Sequence, residues 1–134
     1  MTTLEVGTEL PSITTSFTRA TLVRYAGAST DFNPIHWSER KAHELGLPTV
    51  IAHGMLTMGT ALRVVTDAVG DPARVLSYYV RFTRPVPVED TDDGSTVTFS
   101  GTVTKVADGV ATIALQALFG DTRVLGAATA EVRL

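Results

Sequence analysis

Residues 54–69 constrain this chain more than any other stretch. Met55, Met58, Leu62, Val65 and Val69 recur at intervals of three and four, the spacing of one helical face. Leu56, Ala61, Val64 and Ala68 fill much of the remainder, and Gly70-Asp71-Pro72 stops the run. A helix that is apolar nearly all round is normally buried. The rest of the chain must therefore wrap it.

The second half supplies the wrapping. Leu76, Tyr78, Val80 and Phe82 alternate with Ser77, Tyr79, Arg81 and Thr83, the period of a strand. Pro85 and Pro87 end that strand, and Glu89 to Gly94 reads as an acidic turn. Val97, Phe99, Gly101 and Val103 alternate with threonine and serine. Ala111, Ile113, Leu115, Ala117 and Phe119 do the same after Asp108-Gly109, a strong hairpin signal. Val124, Gly126, Ala128, Ala130, Val132 and Leu134 form the last alternating face.

The first half is less regular. Thr8 to Phe17 carries a weak strand signal, and Pro11 points to an edge or an irregular start. Thr18 stands where an N-cap belongs, ahead of Leu22, Val23 and Tyr25 at helical spacing, and Gly27 marks the expected end. Ser29 to His36 has no periodicity, and Asn33-Pro34 forces an extended or turned backbone. Ser38 caps a short helix that Gly46 and Pro48 close. The expected fold is α+β, one domain over residues 1–134, with an antiparallel sheet of about five strands curled round one helix. One such layer pair leaves a sheet edge and a helix flank uncovered, which argues for a partner subunit.

Composition narrows the function. The chain has 134 residues, no cysteine and a formal charge of −3, with its lysines and arginines scattered. That excludes disulfides and thiol chemistry and makes nucleic acid a poor partner. No apolar run approaches bilayer length, and the first residues do not read as a signal peptide, so the expectation is a cytoplasmic protein without membrane contact.

The chemistry gathers in the aperiodic loop and at the helix start. Asp31 and His36 lie five residues apart across Asn33-Pro34. Unperturbed, such a pair is a base beside an anion at neutral pH. Asn33 can fix the loop through its side chain. Gly54, in the first turn of the long helix, offers a free N–H backed by the positive end of the helix dipole, which is an oxyanion site. Plainer readings stand beside these. Asp31 and Asn33-Pro34 also serve as turn residues, His53 as a cap or a packed polar residue, and His43 as a solvent-facing side chain. The Met55/Met58 stripe is most simply core. Arg81 and Arg84 could bind a phosphate or simply face water. A metal held by Asp31, His36 and His53 lacks close paired-ligand spacing.

A resemblance decides between them. Tyr25, Ser29, Asp31-Phe32-Asn33-Pro34-Ile35-His36, Ala42 and Ala52-His53-Gly54-Met55 are similar to the signature of the MaoC-like dehydratases, the (R)-specific enoyl hydratase family. Further stretches, Ile51 to Gly59, Val69 to Pro72 and Val80 to Thr83, resemble the catalytic subunits of mycobacterial-type (3R)-hydroxyacyl-ACP dehydratases. Two positions depart from the pattern: Ala28, where a larger apolar residue or glycine is usual, and Thr30, where glycine is usual. A side chain at 30 would narrow the pocket or bond to Asp31.

The resemblance implies the hotdog fold, paired as a homodimer or with another hotdog subunit. It implies a hydro-lyase without metal or cofactor, acting on acyl-CoA or acyl-ACP in fatty-acid metabolism. Asp31, His36 and Gly54 would be catalytic, with Ser29, Asn33 and His53 positioning the substrate. The competing expectations are a hotdog thioesterase and a non-catalytic hotdog subunit bracing an acyl tunnel.

Overall fold

Alternation became strand throughout the second half. The computed structural model describes residues 2–134, with strands β1 (Glu9–Phe17), β2 (Val75–Phe82), β3 (Ser95–Ala107), β4 (Val110–Phe119), β5 (Thr122–Arg123) and β6 (Leu125–Arg133). All pairings are antiparallel, in the order β1-β3-β4-β6-β2, and the two-residue β5 adds to the end of β4. Three α-helices, α1 (Arg19–Ser29), α2 (Glu39–Glu44) and α3 (Gly54–Val69), precede β2. Helix α3 packs on β1, β3 and β4, which is the hotdog arrangement.

The buried side of α3 differs from the expected one. Thr57, Ala61, Val64, Val65, Ala68 and Val69 face the sheet, whereas Met58 and Leu62 are half-buried and Met55 is 59% exposed. Small residues explain the choice. Ala61 and Ala68 let the helix approach closely, and on β3 a Cβ at Gly101 would stand 3.2 Å from Val64 Cγ1 and 3.0 Å from Leu115 Cδ2. A Met-lined face would have held the layers further apart.

Two strands depart from simple alternation. In β2, at the sheet edge, Tyr78 and Val80 are half-buried while Leu76 and Phe82 are exposed, because register shifts on both sides of Tyr79 turn the strand. The Tyr78 hydroxyl donates to Met58 O at 2.8 Å, and burial pushes its pKa up to about 12. In β6, Ala128, Ala130 and Val132 are buried as expected, but Leu125 replaces Gly126 on the inner face. Ala127, at φ 47°, inserts the residue that shifts the phase.

Ahead of the sheet, Thr18 and Thr21 form the reciprocal cap that starts α1. The helix runs past Gly27 to Ser29 and ends on Thr30 in the left-handed region, at φ 62°. A clamp ties the helices together. Glu39 receives hydrogen bonds from Thr49 and Arg19, and Arg19 Nε donates to Val88 O at 2.8 Å. The Thr49 bond, reinforced by Arg19, holds the Glu39 carboxyl below its ordinary range.

Gly94 closes the acidic turn at φ 62°, where an added Cβ would lie 2.0 Å from Phe17 O. Gly94→Ala should therefore cost about 3 kcal/mol or more through left-handed strain and backbone overlap. Denaturant midpoints at an unchanged m-value are the measurement.

Candidate active site

A relay of side chains builds the loop after α1. Ser29 Oγ accepts from Asp31 N at 3.2 Å, Asp31 Oδ1 from Asn33 N at 3.1 Å, and Asn33 Oδ1 from Ile35 N at 3.2 Å. Each side chain serves the amide two residues on, the habit that keeps such residues in turns. Pro34 then opens a single 3₁₀ turn, Pro34–His36. Ser29 and Asn33 thus spend their oxygens on the backbone and do not line the adjoining cavity. They position the loop, the part expected of the Asn33 side chain. Asp31 commits only Oδ1 and keeps Oδ2 free of the turn.

His36 turns inward from that loop. Its Nδ1 lies 2.7 Å from Ile51 O, and a carbonyl can only accept, so Nδ1 carries the proton. The neutral ring then presents a lone pair at Nε2, 3.8 Å from Asp31 Oδ2. That gap is too long for a hydrogen bond, but one oxygen placed in front could sit about 2.8 Å from both. The imidazole side chain is 8% exposed and the carboxylate 51%.

His53 stands behind the pair. It is 1% exposed, its Nε2 donates to Asp31 O at 3.1 Å, and its ring stacks on His36 with centroids 3.8 Å apart and planes 20° from parallel. Tyr25 meets its other side edge-on at 4.7 Å. Burial lowers its pKa, with the nearby His36 acting in the same direction. His53 neither caps α3 with its side chain nor lines the cavity; it packs as a polar residue against the His36 ring. Asp31, His36 and His53 do bring ligand atoms within 4.8 Å of one another. Imidazole lone pairs lie in the ring plane, however, and two nearly parallel stacked rings cannot aim theirs at one ion.

The third element comes from a connector. Ile51 N donates to Ile35 O at 3.1 Å and Ala52 N to Val86 O at 2.9 Å, while Val50 O accepts from Val88 N at 2.9 Å. Residues 50–52 are thereby pinned between the loop and the chain after β2, and α3 must start beside His36. The Gly54 N–H, at the first helical position, has no acceptor among the described residues. Asp31, His36 and Gly54 share a cavity of about 420 Å³ with Thr57, Phe82 and Arg84. The Phe82 ring passes so near Gly54 that a Cβ there would lie 3.0 Å from it.

Comparison with known proteins places this geometry. A profile of the MaoC like domain matches residues 3–118. The chain belongs to the MaoC-like family. It is 41% identical over 76 residues to 3-hydroxyacyl-thioester dehydratase X of Mycobacterium tuberculosis, covering 57% of this chain and 26% of that protein. It is 33% identical over 108 residues to the 3-oxo-4,17-pregnadiene-20-carboxyl-CoA hydratase beta subunit of the same organism, covering 81% and 80%. A solved MaoC-like dehydratase superposes with a TM-score of 0.92 at 39% identity, over 97% of this chain and 40% of that one. The chain thus spans about a quarter of the first relative's length and 40% of the solved dehydratase.

Within this MaoC-like site, several lining residues carried no functional expectation from the sequence. Thr57 is a buried threonine one turn after Gly54, visible beforehand only as a polar break in an apolar run. Phe82 was legible only as part of an alternating strand, and Met55, expected as core, borders the cavity. A polar residue three positions after the glycine was the available signal, since positions i and i+3 share a helix face. Thr30, the departure from the family pattern, lines no part of the cavity. Its usual glycine fits the left-handed backbone there.

Two outcomes follow for stability. Thr30→Gly should raise it by about 1 kcal/mol, since a β-branched residue is costly at positive φ, and thermal melting will read this. His53 has a folded pKa below its unfolded value. Its contribution is therefore intact above about pH 6.5 and falls with pH as the unfolded chain takes a proton the fold refuses. Denaturant titrations from pH 7 to 5 should show a steeper loss in the wild type than in His53→Gln.

Proposed function

We propose that the chain is a hydro-lyase that interconverts (3R)-hydroxyacyl and trans-2-enoyl thioesters. The observation that carries this reading is the meeting of His36 Nε2, Asp31 Oδ2 and the Gly54 N–H end of α3 on one cavity. Thioester dehydration needs a base at C2, a donor for the carbonyl oxygen and a group to hold the departing hydroxyl. His36 Nε2 meets the first need, the Gly54 N–H the second and Asp31 Oδ2 the third.

In the dehydration direction His36 Nε2 takes the C2 proton. Charge moves onto the thioester oxygen, where the Gly54 N–H and the helix dipole stabilise it. The C3–O bond then breaks. The departing oxygen, held by the Asp31 carboxylate, receives the proton from the imidazolium and leaves as water. Hydration is the reverse, and the thioester's own acidity at C2 does the work a cofactor would otherwise do. The (3R) configuration follows the family resemblance of the loop, and one relative is itself named as acting on a CoA thioester. We place the reaction in the cytoplasm, in the dehydration step of fatty-acyl elongation. No helix among the described residues is long and apolar enough to cross a membrane.

We further infer that the chain works paired with a hotdog subunit, itself or another. The edge strand β2 leaves Leu76, Tyr79 and Phe82 exposed, an apolar edge that a second sheet would cover. A relative named as a beta subunit supports pairing of this kind.

The test is hydration of trans-2-enoyl-CoA substrates of increasing length, with product configuration determined and free thiol assayed. His36→Ala and Asp31→Asn should each lower turnover about 10²- to 10⁴-fold with the fold intact by circular dichroism. Gly54→Pro probes the donor itself. Proline suits the first helical position, and His53 has the extended backbone (φ −60°, ψ 131°) that precedes it well. Losing that N–H should cost about 10²- to 10³-fold in kcat, whereas Gly54→Ala keeps the donor and mainly displaces Phe82. Near-normal turnover in any of the first three variants removes that group from the mechanism. Thiol release without hydration would replace the reading with thioester hydrolysis.

A further inference from the structure

The cavity that holds Asp31, His36 and Gly54 adjoins a second hollow of about 480 Å³, and Thr83, Arg84 and Leu125 line both. The second hollow is a gap in the sheet. β4 and β6 pair from Val110↔Arg133 to Ala114↔Thr129 and then part. The start of β6 pairs with β2 instead, through Gly126 and Leu125, after the bulge at Ala127. The hollows meet at these shared residues, so a ligand whose reacting carbon lies at His36 would extend past them toward the gap.

Two arginines stand at this gap. Arg84 lines both hollows, and no hydrogen bond or ion pair involves its side chain among the described residues. Arg123 lines the second hollow. In the amide orientation that satisfies both groups, Gln116 accepts from its Nε and Nη2, each at 3.2 Å. A neutral partner fixes the guanidinium fork without cancelling its charge. Elsewhere Arg19, Arg40, Lys41 and Arg63 each face a carboxylate. Two guanidinium groups without a carboxylate partner on adjoining hollows, Arg84 lining both and Arg123 the second, hold a local field for an anion.

We propose that Arg84 and Arg123 form a subsite for the phosphate groups of the thioester carrier, the phosphopantetheine arm borne by coenzyme A or by a carrier protein. The proposal rests on the thioester reading above. Pantetheine itself is uncharged, so it suits the Thr83–Leu125 wall between the hollows, while its phosphate meets the two guanidinium groups.

The experiment compares Arg84→Gln, Arg123→Gln and the double variant with wild type, and uses Lys105→Gln as a charge-matched control. Three substrates carry the same enoyl group: the CoA thioester, the carrier-protein thioester and the phosphate-free pantetheine thioester. The double variant should raise KM about 10- to 100-fold for phosphate-bearing substrates, the loss of charge-assisted hydrogen bonds, with kcat within twofold. Its kinetics on the pantetheine thioester should not change. Equal losses on both phosphate-bearing substrates assign the shared pantetheine phosphate, and a loss confined to CoA assigns the nucleotide phosphates. Equal loss on the phosphate-free substrate, or no loss on either charged one, overturns the proposal. If the wild type turns over no thioester, the functional reading fails on its own, and calorimetry with coenzyme A decides the subsite. Weaker binding by the double variant upholds it, while equal binding, or none by the wild type, overturns it.

Discussion

The hydrogen bond from His36 Nδ1 to Ile51 O, at 2.7 Å, is the contact on which the site depends. It joins two segments fifteen residues apart and settles two questions together. A carbonyl cannot donate, so the bond fixes the tautomer and leaves the lone pair at Nε2. The acceptor also belongs to the connector that launches α3, so the ring and the helix start are located by the same backbone. Ile51, Ala52 and Val50 are themselves held by Ile35, Val86 and Val88, with Val50, Val86 and Val88 all buried. The His36 ring and the Gly54 N–H therefore cannot drift independently.

Around that bond, burial sorts the charges. The Asp31 carboxylate remains half-exposed, because an anion moved to the interior would lose its hydration or its charge. The His36 imidazole is enclosed, and the second imidazole stacked on it is deeper still. Desolvation lowers the pKa of His53. Bonding to Asp31 O, His53 also ties the loop to the core from below. Three residues that look interchangeable as titratable groups take different parts because they sit at different depths.

How legible this was from sequence depended on whether the signal was local. Hairpin chemistry at Asp108-Gly109, capping at Thr18 and Ser38, and the helix stop at Gly70 are one-turn decisions, and each stands where its residues indicate. Alternation located the strands but not their phase across a bulge, because Ala127 carries no turn signature. The inner face of α3 was misread for a related reason. Periodicity weighs hydrophobicity, whereas the close approach to Gly101 selects small residues. Asp31 and His36 were legible as a pair only through their loop and its resemblance. The cavity behind them was not, since it needs Phe82 and Leu125 from distant strands and Arg84 from the connector after β2. The turn chemistry of Asn33 was also local, its Oδ1 serving the amide two residues on as Ser29 Oγ does.

Phe82 links the chemistry to the sheet edge. It ends β2, is 55% exposed, and lays its ring over the first turn of α3. An oxyanion donor acts more strongly where water is excluded, because the local dielectric falls. With β2 open on one side, that shielding is partial. A second sheet laid along the edge would bury Phe82 together with Leu76 and Tyr79, and so dry the surroundings of the Gly54 N–H without touching it. Pairing would then bear on turnover through the solvation of one backbone amide, which gives the apolar edge a chemical reason beyond the area it buries.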